Sequence, residues 1–318
     1  MELKVSKEIR KERFITVVMP VYCEELNIEE MVRQVSHVLD GLEIKYEIIL
    51  VDDGSIDKTW DIITAIFESN ELVKGILLSR NFGKESALCA GLDKATGDAV
   101  IVMDSDLQHP PKLIADMVAC WLKGGVDIVD AIKEDRGKED WLSKKTAILF
   151  YKIFFFFSKY DLKGGSDYKL LDRCVVDAWK QMQERNLFFR GMSTWLGFRR
   201  KEIGYSVQDR KSGESGWSKA QLIRLAVTSI TSYSSAPLHI VTILGGIFGI
   251  GAIIGIIHTL YQSITGVSVA GFPTVIILIL IVGSIIMISL GIMGEYIARI
   301  FDETKGRPRY FISRYLTK

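Results

Sequence analysis

The chain has 318 residues, 48% hydrophobic and 25% charged, with a formal net charge of +1, a length that allows one large domain or two modest ones. None of its 40 Lys and Arg or 39 Asp and Glu residues lies between positions 225 and 294, where a quarter-charged chain would place about 17. Purely soluble globular, disordered and fibrous chains are thereby excluded, and the near-neutral balance gives no sign of a nucleic-acid partner.

The opening MELKVSKEIRKER is charged and lacks the apolar core of a signal peptide. Beyond it, short β-rich runs alternate with amphipathic stretches. Strands are predicted at 14–19, 46–51, 74–79, 99–103 and 127–131, with helices near 26–40, 58–69, 84–95 and 111–123. Strands separated by one helix each imply a doubly wound, mostly parallel, Rossmann-like α/β sheet. Such sheets bind ligands beyond the carboxyl ends of their strands. Those ends carry PVYCEE, DDGS, SRNFGK and DSDLQHP in turn, so acidic residues recur at three of them. GxGxxG and GxxxxGK[ST] are absent from the sequence, which sets aside a dehydrogenase and a P-loop NTPase. Asp104 and Asp106 alternate on an extended segment, with Gln108 two residues further on. Three oxygen ligands at that spacing can converge on one hard cation, Mg2+ or Mn2+; the alternative is a solvated turn capping the next helix. Cys23, Cys89, Cys120 and Cys174 are scattered, without CxxC or zinc-type spacing. Four free thiols suit a reducing compartment, which places the polar part in the cytoplasm.

Further along, residues 150–158 (FYKIFFFFS) are flanked by Lys144, Lys145 and Lys159, and residues 218–232 carry apolar positions at helical spacing. Both are expected to lie at the membrane surface, with ordinary core helices as the alternative. Residues 238–261 and 274–294 are apolar runs of 24 and 21 residues, about 36 and 32 Å long as helices, enough to cross a hydrocarbon core of about 30 Å. The uncharged link between them has no Lys or Arg, whereas Lys219, Arg224 and a basic C-terminus flank the pair. A hairpin with the polar domain and both termini in the cytoplasm is expected from this bias. Gly245, Gly249, Gly251 and Gly255 supply two GxxxG spacings, a route to a homo-oligomer through the transmembrane helices.

In order and spacing, VVMPVYCEE, VDDGS, SRNFGKESAL and MDSDLQHPP, continued by DIVDAIKEDR, GGSDYKLLDR and DRKSGESGWSK, resemble the family 2 glycosyltransferases of GT-A fold. With the hairpin added, the chain is similar over nearly its whole length to polyprenyl-phosphate glycosyltransferases such as bactoprenol glucosyltransferases and dolichol-phosphate mannose synthases. The resemblance implies a GT-A catalytic domain over 1–217 with a membrane-contacting helix near 145–160. It further implies an interface helix over 218–236, a transmembrane hairpin over 237–298 and a basic tail over 299–318. It places Pro20, Tyr22 and Glu24 in the nucleoside pocket, with Asp52 or Asp53 on the base or ribose. Asp104 would meet the sugar or ribose side and contribute, with Asp106 and Gln108, to the metal. Arg136 would hold the acceptor phosphate, and Arg210 and Lys211 would neutralise charge on the diphosphate. Asp167 stands where related enzymes keep a catalytic carboxylate, as a base or as an orienting group. Arg80 is expected to be structural.

The implied reaction moves one sugar, with inversion, from a nucleotide sugar donor to polyprenyl (undecaprenyl) phosphate. Neither Gln181 nor Gln208 begins the QxxRW of processive synthases, which favours single-sugar transfer. UDP-glucose is the first donor to consider, with GDP-mannose or a UDP-aminopentose as alternatives. An inactive nucleotide-binding membrane scaffold is the reading from a different class.

Overall fold

The computed structural model describes residues 12–106, 109–135, 166–182, 184, 188–206, 236–265 and 272–318. Strands β1 (Phe14–Val21), β2 (Lys45–Asp52), β3 (Val73–Leu78) and β4 (Ala99–Val102) come first. Seven of the eight residues in each of β1 and β2 are buried, because helices cover both faces of a parallel sheet. Helix α1 (Ile28–Gly41) is amphipathic: Ile28, Met31, Val32, Val35 and Leu39 are buried at helical spacing. Helix α2 (Thr59–Ser69) follows β2, and α3 (Lys84–Lys94) follows β3. Ala87 to Leu92 of α3 are all buried, since small residues let this helix lie close on the sheet. A Cβ on Gly91 would come 2.3 Å from Val18 Cγ1, so that position admits no larger residue without displacement.

Helix α4 (Leu113–Leu122) leads to β5 (Ile128–Asp135), and β6 (Lys169–Asp172) runs directly into α5 (Arg173–Gln181). The Asp172 side chain caps α5 by accepting the Cys174 N–H at 3.0 Å. Then come α6 (Phe189–Trp195), β7 (Arg200–Ser206), the long helices α7 (Ala236–Ile264) and α8 (Phe272–Thr304), and β8 (Ile312–Leu316).

One eight-stranded sheet results, in the order β7-β5-β6-β4-β1-β2-β3-β8. Pairs β1–β2, β1–β4, β2–β3 and β5–β7 are parallel, while β6 is antiparallel to β4 and β5 and β8 is antiparallel to β3. The expected doubly wound, parallel-dominant α/β sheet is what forms. Three of its strands are not among those predicted: β6, inserted antiparallel; β7, paired parallel to β5 at one edge; and β8, built from the residues expected to be a tail. The Ser79 N–H donates to the Phe311 carbonyl at 2.9 Å, and the Tyr310 hydroxyl donates to Asp93 at 2.6 Å. The C-terminal segment thus covers a sheet edge that would otherwise present unpaired backbone groups.

The chain divides into two units. One holds the sheet with α1–α6, including Pro308–Lys318; the other holds α7 and α8. In the second unit, Ile281–Thr304 is long and apolar enough to cross a membrane, and Val241–Gly255 is a shorter apolar stretch. Ile253, Ile257, Ile279 and Ile288 are each more than half exposed, a surface suited to lipid. The aromatic run at 150–158 and the amphipathic stretch at 218–232 lie outside the described residues.

Candidate functional site

The carboxyl ends of β1 to β4 enclose a cleft of about 300 Å³. Pro20, Val21, Tyr22 and Glu24 come from the end of β1, Asp53 from β2, Asn81, Gly83 and Lys84 from β3, and Asp104, Ser105 and Asp106 from β4. Parallel register brings them to one rim: Val21 stands opposite Asp52, and the Asp53 N–H donates to the Val21 carbonyl at 2.9 Å.

Backbone strain collects at this rim. Cys23 has φ of +53°, unusual outside glycine, and its N–H donates to Ser55 Oγ at 2.9 Å. Gly54 has φ of +71°, and a Cβ there would lie 2.5 Å from the Arg80 carbonyl carbon. Glycine in the DDGS turn is therefore required twice, by conformation and by space.

The two aspartates of that turn differ in task. Asp52 is fully buried and accepts the Ser55 N–H at 2.8 Å; burial raises its pKa. Asp53 accepts the N–H groups of Phe82 and Gly83 at 2.7 and 2.8 Å, holding the loop that leads into α3. Glu24 accepts from Asn27 Nδ2 at 2.7 Å. Burial raises its pKa, the bond from Asn27 opposes that rise, and the charges of Asp106 and Asp104 add to it. Tyr22 is half-exposed at the mouth.

A chain of charges runs inward from the cleft. Lys84 Nζ lies 2.6 Å from Asp104 Oδ1 and 2.7 Å from Asp167 Oδ2. Burial would lower its pKa, but the two carboxylates outweigh that and hold it above the ordinary lysine range. Asp167 also receives Arg190 in two-pronged fashion, with Nε to Oδ1 at 2.7 Å and Nη2 to Oδ2 at 3.1 Å. Burial opposes ionisation of Asp167, yet Arg190 and Lys84 keep its carboxyl well below the usual carboxylate range. A carboxylate gripped by two cations is a poor proton acceptor.

Glu85 is next to this cluster and half-buried. Burial pushes its carboxyl up from 4.5 to about 7, with the Asp167 charge adding to the effect. A carboxyl whose pKa is higher folded than unfolded binds more protons in the native state between those values, so stability falls as pH rises through that window. Asp167 acts with the opposite sign, at lower pH. Glu85→Gln is expected to flatten the decline and leave the variant more stable than the unmodified protein at slightly alkaline pH. Identical pH slopes of thermal unfolding in the two proteins would contradict this.

Of the residues expected from sequence, Pro20, Tyr22, Glu24, Asp53, Asp104 and Asp106 line the cleft. Asp52 is buried beside it, and Asp167 is reached through Lys84. Arg80 is exposed, with its guanidinium 4.2 Å from the Phe82 ring centre. Gln108, Arg136, Arg210 and Lys211 lie outside the described residues. Among the described residues, no group of three His, Cys, Asp or Glu side chains is placed to hold a metal ion. Lys84 and Arg190 are additions that the sequence did not single out. Lys84 had a local signal, a basic residue at the end of the third predicted strand; Arg190 had none.

Residues 16–175 match the family model for glycosyl transferase family 2. The uncharacterized glycosyltransferase sll0501 of Synechocystis sp. is 40% identical over 301 residues, 94% of each chain. A prophage bactoprenol glucosyl transferase homolog of Escherichia coli is 39% identical over 302 residues, 94% of this chain and 98% of that one. Among solved structures, glucosyl-3-phosphoglycerate synthase from Mycobacterium tuberculosis in complex with Mn2+, uridine-diphosphate-glucose and phosphoglyceric acid aligns with a TM-score of 0.49 at 20% identity. That alignment covers 72% of this chain and 82% of the other. The chain belongs to glycosyl transferase family 2.

Proposed function

We propose that this family 2 glycosyltransferase moves a single sugar, glucose from UDP-glucose, onto polyprenyl phosphate at the cytoplasmic face of a membrane. The observation that carries the reading is the acidic, lysine-bearing cleft at the strand ends, in a chain that also has a helix able to cross a bilayer. Relatives named bactoprenol glucosyl transferase, alignable over 94% of the chain, support the lipid-linked acceptor.

In this reading Pro20, Tyr22, Glu24 and Asp53 receive the nucleoside, and Arg136, Arg210 and Lys211 meet the two phosphate groups. Asp104 and Asp106 line the cleft and offer hard oxygen donors, to which the family resemblance adds Gln108. Carboxylate and amide oxygens of this kind would suit a hard divalent cation. When bound, Mg2+ or Mn2+ would neutralise the departing nucleoside diphosphate. The acceptor, a phosphate monoester with a second pKa near ~6, is mostly dianionic at neutral pH. It needs no base, which agrees with the suppressed proton affinity of Asp167 and assigns that carboxylate an orienting role. Helices α7 and α8 serve as two transmembrane spans, with both termini cytoplasmic.

The test is incubation of the purified protein with undecaprenyl phosphate, Mg2+ or Mn2+ and a panel of labelled nucleotide sugars. Label from UDP-glucose is expected in the chloroform-extractable fraction. Transfer from GDP-mannose or a UDP-aminopentose would replace the donor and keep the reaction; transfer from none would favour a nucleotide-binding scaffold.

A further inference from the structure

His109 is a side chain that the proposed reaction leaves without a task. It is buried, with 4% of its surface exposed, and it stands between the two turns that carry Asp104 and Asp167. Its Nδ1 accepts the backbone N–H of Asp104 at 2.9 Å. A ring nitrogen that accepts a hydrogen bond carries no proton, so in the neutral imidazole the proton sits on Nε2. Nε2 lies 3.5 Å from Ser166 Oγ, the residue before Asp167, and that same oxygen accepts the N–H of Tyr168, the residue after it, at 3.0 Å. Nε2 is also 3.9 Å from Asp104 Oδ2. The ring stacks on Tyr168 with centroids 4.9 Å apart and an interplanar angle of 16°, and Tyr205 meets its edge at 6.3 Å. Tyr168 closes the loop, its hydroxyl donating to the Pro110 carbonyl at 3.1 Å.

We propose that His109, as its Nε2–H tautomer, is a positioning residue that sets the spacing of Asp104 and Asp167 so that one ammonium, Lys84, bridges both. Two carboxylates 63 positions apart in sequence meet a single Nζ at 2.6 and 2.7 Å, and a shift of either turn breaks one of those contacts. Like Lys84, the imidazole touches both turns, but through their backbone and packing: its Nδ1 accepts the Asp104 N–H, and its Nε2 and its stacked face meet Ser166 and Tyr168. The kinetic part of this proposal rests on the glycosyl transfer proposed above; the tautomer does not.

The experiment has a spectroscopic and a kinetic arm. In the uniformly ¹⁵N-labelled full-length protein, a scalar coupling is expected between the Asp104 amide nitrogen and His109 Nδ1, with the imidazole proton on Nε2. A protonated Nδ1, or no coupling, overturns the assignment without reference to turnover. In the transfer assay, His109→Asn places an acceptor oxygen near the Nδ1 position, whereas His109→Gln and His109→Ala do not. The Gln and Ala variants are expected to lose about 10–100-fold in kcat, a cost typical of sub-ångström to 1 Å misplacement, with the donor KM changed by less than about threefold. His109→Asn is expected to recover most of that loss. Equal activity in all three variants, or an equal loss with no recovery in a folded Asn variant, overturns the proposal. An unmodified protein that transfers no sugar removes the reaction proposed above, while the spectrum still decides the tautomer.

Discussion

Asp167→Asn is expected to lower kcat by about 10²-fold or more, in the range seen when a preorganised charged group is removed from a reacting centre. The physical basis is the double grip on this carboxylate. Arg190 and Lys84 together supply a two-pronged ion pair and a third short contact. An amide in the same place keeps the shape and loses the charge, leaving two cations facing each other across a buried site. Lys84 then falls to Asp104 alone and the bridge between the two turns is lost. Nucleotide binding, measured separately by calorimetry, is expected to weaken much less than kcat, because the cleft residues from β1 and β2 are untouched. Turnover near that of the unmodified protein would remove Asp167 from the machinery. A loss confined to KM would instead make it a donor-binding group. Because the carboxyl is already held far below the usual range, the activity of the unmodified protein should show no acidic limb near pH 4 arising from this group.

The largest effect on stability is expected from Asp130→Ala. Asp130 and Lys169 are cross-strand neighbours on β5 and β6, and both are nearly inaccessible, at 5% and 2% exposure. Lys169 Nζ donates to Asp130 Oδ1, and Arg200 Nη1 from β7 approaches Oδ2 at 3.6 Å. One carboxylate thus serves two cations contributed by the strands on either side of it. Removing it strands a buried ammonium, a change that typically costs about 3–5 kcal/mol. Urea unfolding of the detergent-solubilised protein should report a loss of that size. Adding Lys169→Met to the same chain should recover a large part of it, since a buried pair replaced by apolar groups of similar volume is often neutral. A loss below about 1 kcal/mol, the range of an exposed pair, would show that water reaches this corner of the sheet.

Much of the fold and part of the site are legible in the chain itself. Strands β1 to β4 announce themselves because a strand covered on both faces must be apolar along its length, and each is succeeded by a polar cluster that marks its end. Ser-Arg-Asn-Phe-Gly-Lys and Asp-Ser-Asp are local words in the chain, so the cleft they line can be drawn from their order. The antiparallel strand β6 is not legible in this way. LysLeuLeuAsp is four residues long and reads equally as the first turn of the helix into which it runs. Its pairing with β4 and β5 is decided by partners some 40 to 70 positions away. The same holds for β8, whose exposed Ser313 and Arg314 suit the solvent side of an edge strand as well as they suit a tail.

What the sequence determined by itself is the class of molecule: a parallel α/β sheet with acids at its strand ends, joined to a charge-free segment. Both follow from periodicity and composition, which are properties of neighbouring residues. What only the tertiary structure decided is which charges meet. Lys84 and Asp167 are 83 positions apart, and Arg190 reaches Asp167 across 23. No local pattern couples such residues, because their energy of interaction exists only once the sheet has brought two distant turns within a hydrogen bond of one ammonium group.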